Sequence, residues 1–255
     1  SAQMAFFLQQ VVNALQRGSF YALIALGYSM VYGVLMLFNF AHGDVFMVGA
    51  YIGFFVSSGL LALTATGVLA LPVGVQLGLV LVLTLIISMF LNSFVGMIIE
   101  RIGYRPLRGA PRASAAITGL MIGIILETGN LALLGAQRLS FPDLIPGETI
   151  QWLGVSITPK KIVIVGVSLA LMFGLHFFVR RTKWGMAMRA MAYDFVVVPL
   201  MGISVNTIAL ITFAIGSALA AAAGIMYGVA YPVLDPYMGV LFGWKAFAVS
   251  YTHLT

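Results

Sequence analysis

The chain has 255 residues, 62% of them hydrophobic and 8% charged, a balance that no water-soluble domain carries without exposing large apolar patches. Cysteine is absent, which excludes disulfides, thiolate catalysis and Cys-ligated metal. The net charge of +6 would raise nucleic acid as a partner in a soluble chain, but in one this apolar it reads as membrane topology, and no nucleic acid is expected. Several continuous apolar runs reach the ~20 residues that cross ~30 Å of hydrocarbon as helix. The expected fold is therefore all-α, a polytopic membrane helical bundle with interrupted helices embedded in the lipid bilayer.

Residues 4–17 place Gln9, Gln10, Asn13, Gln16 and Arg17 within one arc of about 120° at 100° per residue. This predicts an amphipathic helix that lies at the interface or turns a polar face to the bundle. No cleavable signal peptide is expected, because a basic n-region and a small-residue cleavage site are both missing. Phe20 to Phe38 is the first clear span and Val45 to about Leu61 a shorter second. Between them stands Asn39-Phe40-Ala41-His42-Gly43-Asp44, an amide, an imidazole and a carboxylate set between two apolar runs. Two readings are open. Gly43 and Asp44 suit a helix restart, with the carboxylate accepting from the first free backbone N–H groups. Alternatively, His42 and Asp44 line a solute path, since an Asp at a span centre costs ~2.5–3.5 kcal/mol on translocon scales.

Glycine pairs at GxxxG spacing, Gly49/Gly53, Gly74/Gly78, Gly119/Gly123, Gly224/Gly228 and Gly239/Gly243, predict close helix approach. Thr64 to Pro72 reads as a turn and Gly74 to Ile99 as a long helix. A loop follows from Glu100 to Arg112, where Pro106 and Pro111 forbid a regular helix. Ala113 to Leu134 is the next span, with Glu127 near its middle. Glu127 is either a functional group or a protonated carboxyl bonded to a neighbouring helix.

Gln137 to Lys160 is the longest polar connection, an ordinary solvated loop with Trp152 at the headgroup level or a docking surface for an external partner. Ile162 to Val179 spans again, and His176 within it is expected to be hydrogen-bonded in packing. Arg180 to Asn206 forms a polar loop, and Thr207 to Ala230 is a span rich in small residues. Four basic residues lie in Arg101–Arg112 and four in Arg180–Arg189, two spans apart, so both clusters are expected on the cytoplasmic side. Tyr231 to Gly239 breaks the apolar pattern a second time around Asp235, and paired interruptions of this kind point to a midplane solute site. A last span begins at Val240. Residues 1–248 are expected to form one transmembrane domain and 249–255 a non-native or truncated tail, in which His253 carries no function.

No Gly-x-x-x-x-Gly-Lys-Ser/Thr phosphate loop, paired-histidine zinc motif or Gly-x-Ser-x-Gly elbow occurs. Histidines at 42, 176 and 253 give no ligand spacing. An enzyme is disfavoured and no cofactor or metal is expected, which leaves a solute pathway or a membrane scaffold.

The run Tyr21 to Tyr51, YALIALGYSMVYGVLMLFNFAHGDVFMVGAY, resembles the N-terminal signature of the permease subunits of branched-chain amino-acid ABC importers. The likeness continues, in collinear order, in Glu100 to Pro106 (ERIGYRP), Gly185 to Asp194 (GMAMRAMAYD), Gly202-Ile203, Gly216 to Gly228 and Asp235 to Phe247 (DPYMGVLFGWKAF). It implies a permease half that works with a second permease subunit, two cytoplasmic ATPase subunits and an extracytoplasmic amino-acid-binding protein in a bacterial inner membrane. By the same likeness, Gly185, Arg189, Asp194 and Gly202 belong to a cytoplasmic coupling segment that docks on an ATPase, and Pro199 is expected to disturb the end of its helix. Asn39, His42, Asp44, Glu127 and Asp235 are the candidates for the translocation path. The related alternative is a urea or short-amide importer permease; from another class, a stand-alone channel or secondary carrier.

Overall fold

The structure is a computed structural model and describes residues 2–66, 72–152, 154–195 and 197–252. His253 and the middle of the Thr64–Pro72 turn lie outside the described residues, as does the side chain of Trp152. Among the described residues the chain forms α1 (Ala2–Leu35), α2 (His42–Ala65), α3 (Val73–Ile98), α4 (Arg112–Leu134), α5 (Pro159–Arg181), α6 (Lys183–Tyr193), α7 (Val205–Ala230) and α8 (Met238–Thr252). Four short strands, β1 (Leu139–Ser140), β2 (Ile150–Trp152), β3 (Val155–Ile157) and β4 (Val233–Leu234), occupy the end of the bundle away from α6. Six of the helices, all but α6 and α8, are long and apolar enough to cross a membrane.

Local chemistry sets the helix starts. Pro72 and Pro111 stand just before α3 and α4, and Pro159 opens α5, where a missing N–H is harmless. The Thr182 hydroxyl accepts from Gly185 N at 3.0 Å to cap α6, and Ser204 accepts from Thr207 N at 3.4 Å to cap α7. Basic residues 101–112 and 180–189 lie at one end, which is the end their charge assigns to the cytoplasm, and β1 to β4 lie at the other.

α7 is the hub. Phe213, Ala220 to Ala223, Ile225 and Met226 are all buried, and α1, α2 and α3 pack around it. Small residues permit the approach: a Cβ on Gly224 would lie 2.8 Å from Ala50 N, and one on Gly49 would lie 2.5 Å from Ala221 Cα. Gly53, Gly119, Gly123, Gly228, Gly239 and Gly243 likewise face close neighbours, whereas Gly74 and Gly78 face open space, so that GxxxG pair packs against nothing described.

Several expectations change. Residues 4–17 are not a separate surface helix but the outer part of α1, whose 34 residues extend about 51 Å. Their polar face is met by the outer loop: Gln9 donates to Ser156 O at 3.2 Å and accepts from Ser156 N at 2.7 Å. The 137–160 connection is correspondingly more than a solvated loop, since β2 pairs with β3 and that hairpin packs on α1. Beyond α3 the chain continues as a π-helical turn, Ile99–Tyr104, and a 3-10 turn, Arg105–Leu107. His176 is exposed on α5 and makes no hydrogen bond with described residues, because it points away from the face that packs on α1. Residues 249–252 belong to α8, with the Ser250 hydroxyl 2.8 Å from that of Ser29, a placement equally open to a native and a non-native tail.

Candidate functional site

α1 stops at Leu35, short of the Phe38 expected, and Met36 turns the chain with a φ of 53°, a left-handed conformation rare for a side chain of this size. Residues 36–41 then run back along the bundle, and α2 begins at His42, whose ring lies against Gly27. Gly27 is eight residues before the end of α1, so α2 starts about 12 Å inside the helix layer. α8 descends beside it: a Cβ on Gly243 would meet Gly43 Cα at 2.8 Å. Two helix N-termini thus meet within the membrane, and each presents a positive dipole end.

Asp44 occupies the third position of α2 and does not cap it. Ala41 is the N-cap residue, and the helix has already begun, so the carboxylate points sideways between α4 and α8. It fits only because its neighbours there are glycines: a Cβ on Gly239 would lie 2.5 Å from Oδ1, and one on Gly123 would overlap Oδ2. Oδ1 is buried and accepts no hydrogen bond from the described residues. Beside it opens a cavity of about 210 Å³ whose lining includes Asp44, Glu127, Tyr28, Phe40, Trp244 and Phe247.

The proposed path residues fall into three places. Asp44 and Glu127 share the cavity. Glu127 stands seven residues before the end of α4, about 10 Å below it, and makes no hydrogen bond with described residues, so the neighbouring-helix bond considered for it is not formed. His42 and Asn39 are sealed beside the cavity, with 1% and 3% exposure. The His42 ring meets the cavity-lining Tyr28 edge-on at 4.7 Å, and Asn39 Oδ1 accepts from the Tyr104 hydroxyl at 3.1 Å. Asp235 stands apart at the outer end, where it pairs with Arg138 at 3.0 Å and accepts from Tyr237 N at 2.9 Å, next to the β1–β4 ladder.

Residues 10–251 match the family described as the branched-chain amino acid transport system permease component. The chain belongs to that family. It is 39% identical over 248 residues to the high-affinity branched-chain amino acid transport system permease protein BraD of Pseudomonas aeruginosa, covering 96% of this chain and 78% of that protein. To the corresponding LivH protein of Escherichia coli K12 it is 36% identical over 255 residues, 98% of this chain and 80% of that one. LivH of Salmonella typhimurium is 36% identical over 254 residues, with the same coverage of 98% and 80%. No solved structure matches. The chain is a transport subunit, a multi-pass permease of the bacterial inner membrane.

On the cytoplasmic side of the permease, α6 buries Gly185, Met188 and Met191 and exposes Arg189. Asp194 terminates the helix, and its Oδ1 accepts from Val197 N at 3.0 Å. Pro199 sits in a separate 3-10 turn, Val198–Met201, and so leaves α6 undisturbed; Gly202 follows with a left-handed φ of 78°. Between α6 and the start of α7 runs an open groove of about 600 Å³ that includes Trp184, Met186, Met201 and Gly202.

Other residues that shape the permease site were not singled out in the sequence. Tyr28, Trp244 and Phe247 are aromatics within apolar runs and are indistinguishable there from packing. Asn92 and Glu100 were findable, as polar groups at the middle and end of the apolar α3. Asn92 ties α3 to α2 and α7, and the 1%-exposed Glu100 side chain pairs with Arg105 and Arg108.

Proposed function

We propose that this permease forms half of the translocation path of an ATP-driven importer for branched-chain amino acids. A second permease subunit supplies the other half, two cytoplasmic ATPase subunits supply the driving force, and an extracytoplasmic binding protein delivers the solute. The observation that carries this reading is the unpaired Asp44 carboxylate, held beside Glu127 in a cavity where two helices begin inside the membrane. Such a site matches a zwitterion with an aliphatic side chain. The carboxylates attract an ammonium group, the N-termini of α2 and α8 attract a carboxylate, and Leu120, Ile124 and Val240 in the lining suit a branched hydrocarbon. Asn39 and His42 hold the break in place beside the path, and Asp235 guards its outer end.

The groove between α6 and α7 is the surface for an ATPase subunit, with Gly185 buried at the turn, Arg189 projecting, and Asp194 and Gly202 fixing the chain that leaves it. No phosphate loop is present in the sequence, which agrees with hydrolysis residing in partner subunits. The test is reconstitution of the permease with its genomic neighbours in proteoliposomes. ATP-dependent accumulation of labelled leucine, competed by isoleucine and valine and not by urea, is the expected result. Uptake without ATPases would favour a carrier, and competition by urea would favour the amide importer.

A further inference from the structure

At the outer end of the bundle, away from the carboxylate cavity, a second concavity of about 350 Å³ lies over the end of α7. Its walls include Asn13, Gln16 and Arg17 of α1, Lys160 and Lys161 of α5, and Tyr231. These cations run against two electrostatic trends. Lys and Arg gather at the cytoplasmic end of membrane proteins, and this is the opposite end. Cations are also disfavoured in the first turn of a helix, yet Lys160 and Lys161 are the second and third residues of α5. The N-cap Thr158 contributes no side-chain hydrogen bond, so that turn is uncapped.

Acidic partners do not account for the cluster. Lys160 pairs with Asp143 at 3.1 Å. Arg17 donates to the Tyr231 hydroxyl at 2.9 Å, and Lys161 donates to Asn13 Oδ1 at 2.8 Å and Ser156 O at 3.4 Å, all neutral acceptors. Among the described residues, Arg17 and Lys161 therefore have no counter-charge. A second observation is independent of charge. Gln16 is 9% exposed, lines the same concavity, and makes no hydrogen bond with any described residue. Its amide opens onto the concavity and meets no protein partner among the described residues. A single oxyanion in the concavity answers these features, by accepting from the Gln16, Arg17 and Lys161 side chains beside the positive end of α5.

We propose that this concavity binds phosphate, presented as the headgroup of an anionic phospholipid. The exposed Leu15 and Ile162, next in sequence to Gln16 and Lys161, give the acyl chains an apolar surface at the same level. The site does not depend on the transport reading.

The purified full chain is tested by native mass spectrometry and thermal melting with dioleoylphosphatidylglycerol, dioleoylphosphatidylcholine or inorganic phosphate added. Retention of the phosphatidylglycerol over the phosphatidylcholine is expected, with about a fivefold loss for each of Arg17→Gln and Lys161→Gln. Arg138→Gln, on the same outer face, leaves retention unchanged. Gln16→Leu, which removes the unpaired amide without adding charge, also lowers retention, so the test survives if a cation variant fails to fold. Equal retention of the two lipids, or unchanged retention in the Arg17→Gln/Lys161→Gln variant, overturns the proposal. Inorganic phosphate that stabilises the chain as strongly as the anionic lipid overturns the headgroup assignment in favour of free phosphate.

Discussion

Asn92 donates its side-chain amide to the Ser217 carbonyl at 2.7 Å and, from the same nitrogen, to the Val45 carbonyl at 3.2 Å. One polar side chain in the apolar α3 thereby holds the inward start of α2 against the hub α7. Interhelical side-chain hydrogen bonds in membranes average ~0.6 kcal/mol, so Asn92→Leu is expected to cost about 1 kcal/mol. At ~2–4 °C per kcal/mol for a chain of this size, melting in detergent should fall by a few degrees. An unchanged melting temperature would show that Asn92 does not clamp the break.

Glycine substitutions should divide by position. At Gly239 a Cβ would also lie 2.9 Å from Asp44 Cα and 3.0 Å from Gly43 O, backbone-bound atoms that cannot step aside. Gly239→Ala is therefore expected to cost about 1–3 kcal/mol through overpacking and to abolish uptake by displacing the Asp44 carboxylate. Gly78→Ala, where nothing lies within 4 Å, should leave uptake intact and gain about 0.5–1 kcal/mol of helix stability. Melting and uptake measured on the two variants side by side check the contrast.

Two ion pairs should differ as sharply. Glu100 is sealed between Arg105, at 3.2 Å, and Arg108, which also reaches Asn206 at the start of α7. Removing the carboxylate leaves two guanidinium groups without their counter-charge, and Glu100→Ala is expected to cost ~3–5 kcal/mol, enough to deplete the protein from membranes. Arg138 and Asp235 have side chains 71% and 32% exposed, and Arg138→Ala should cost at most ~1 kcal/mol. Membrane abundance and melting temperature of the two variants give the comparison.

Asp194→Ala removes the acceptor that holds Val197 N at 3.0 Å where the chain leaves α6. With the α6 groove as the ATPase surface, this variant is expected to retain ATP hydrolysis in the assembled complex while losing most uptake. Uptake and hydrolysis measured on one preparation give the ratio, and an unchanged ratio would remove Asp194 from coupling.

The spans were legible because a long apolar run has few options in a bilayer, and the breaks at Asn39–Asp44 and Tyr231–Gly239 were legible because polar residues interrupt such runs. Partners far along the chain were not legible. The polar stripe of residues 9–17 could be read as an interfacial face or as one turned to the bundle because its partners, Ser156, Lys161 and Tyr231, lie more than 140 residues away. Asp235 was visible as the polar centre of the second break, but its partner Arg138, 97 residues distant, was not. His176 erred the other way: a histidine in an apolar helix reads as packed, yet the face of α5 that carries it meets nothing described. Glu127 and Asp44 were found because a carboxylate in an apolar run has few structural reasons to be there. Their common cavity was not readable, since it depends on the glycines of α4 and α8 coming together around α2.

The most direct measurement is leucine uptake by the assembled importer carrying Asp44→Asn, a nearly isosteric change that removes the charge and keeps the fit between Gly123 and Gly239. If the carboxylate handles the solute, uptake falls at least about tenfold, the equivalent of ~1.4 kcal/mol, while complex assembly, melting temperature and basal ATP hydrolysis stay at the level of the unaltered protein. Uptake equal to that of the unaltered protein, with the complex intact, would contradict a solute path through this cavity.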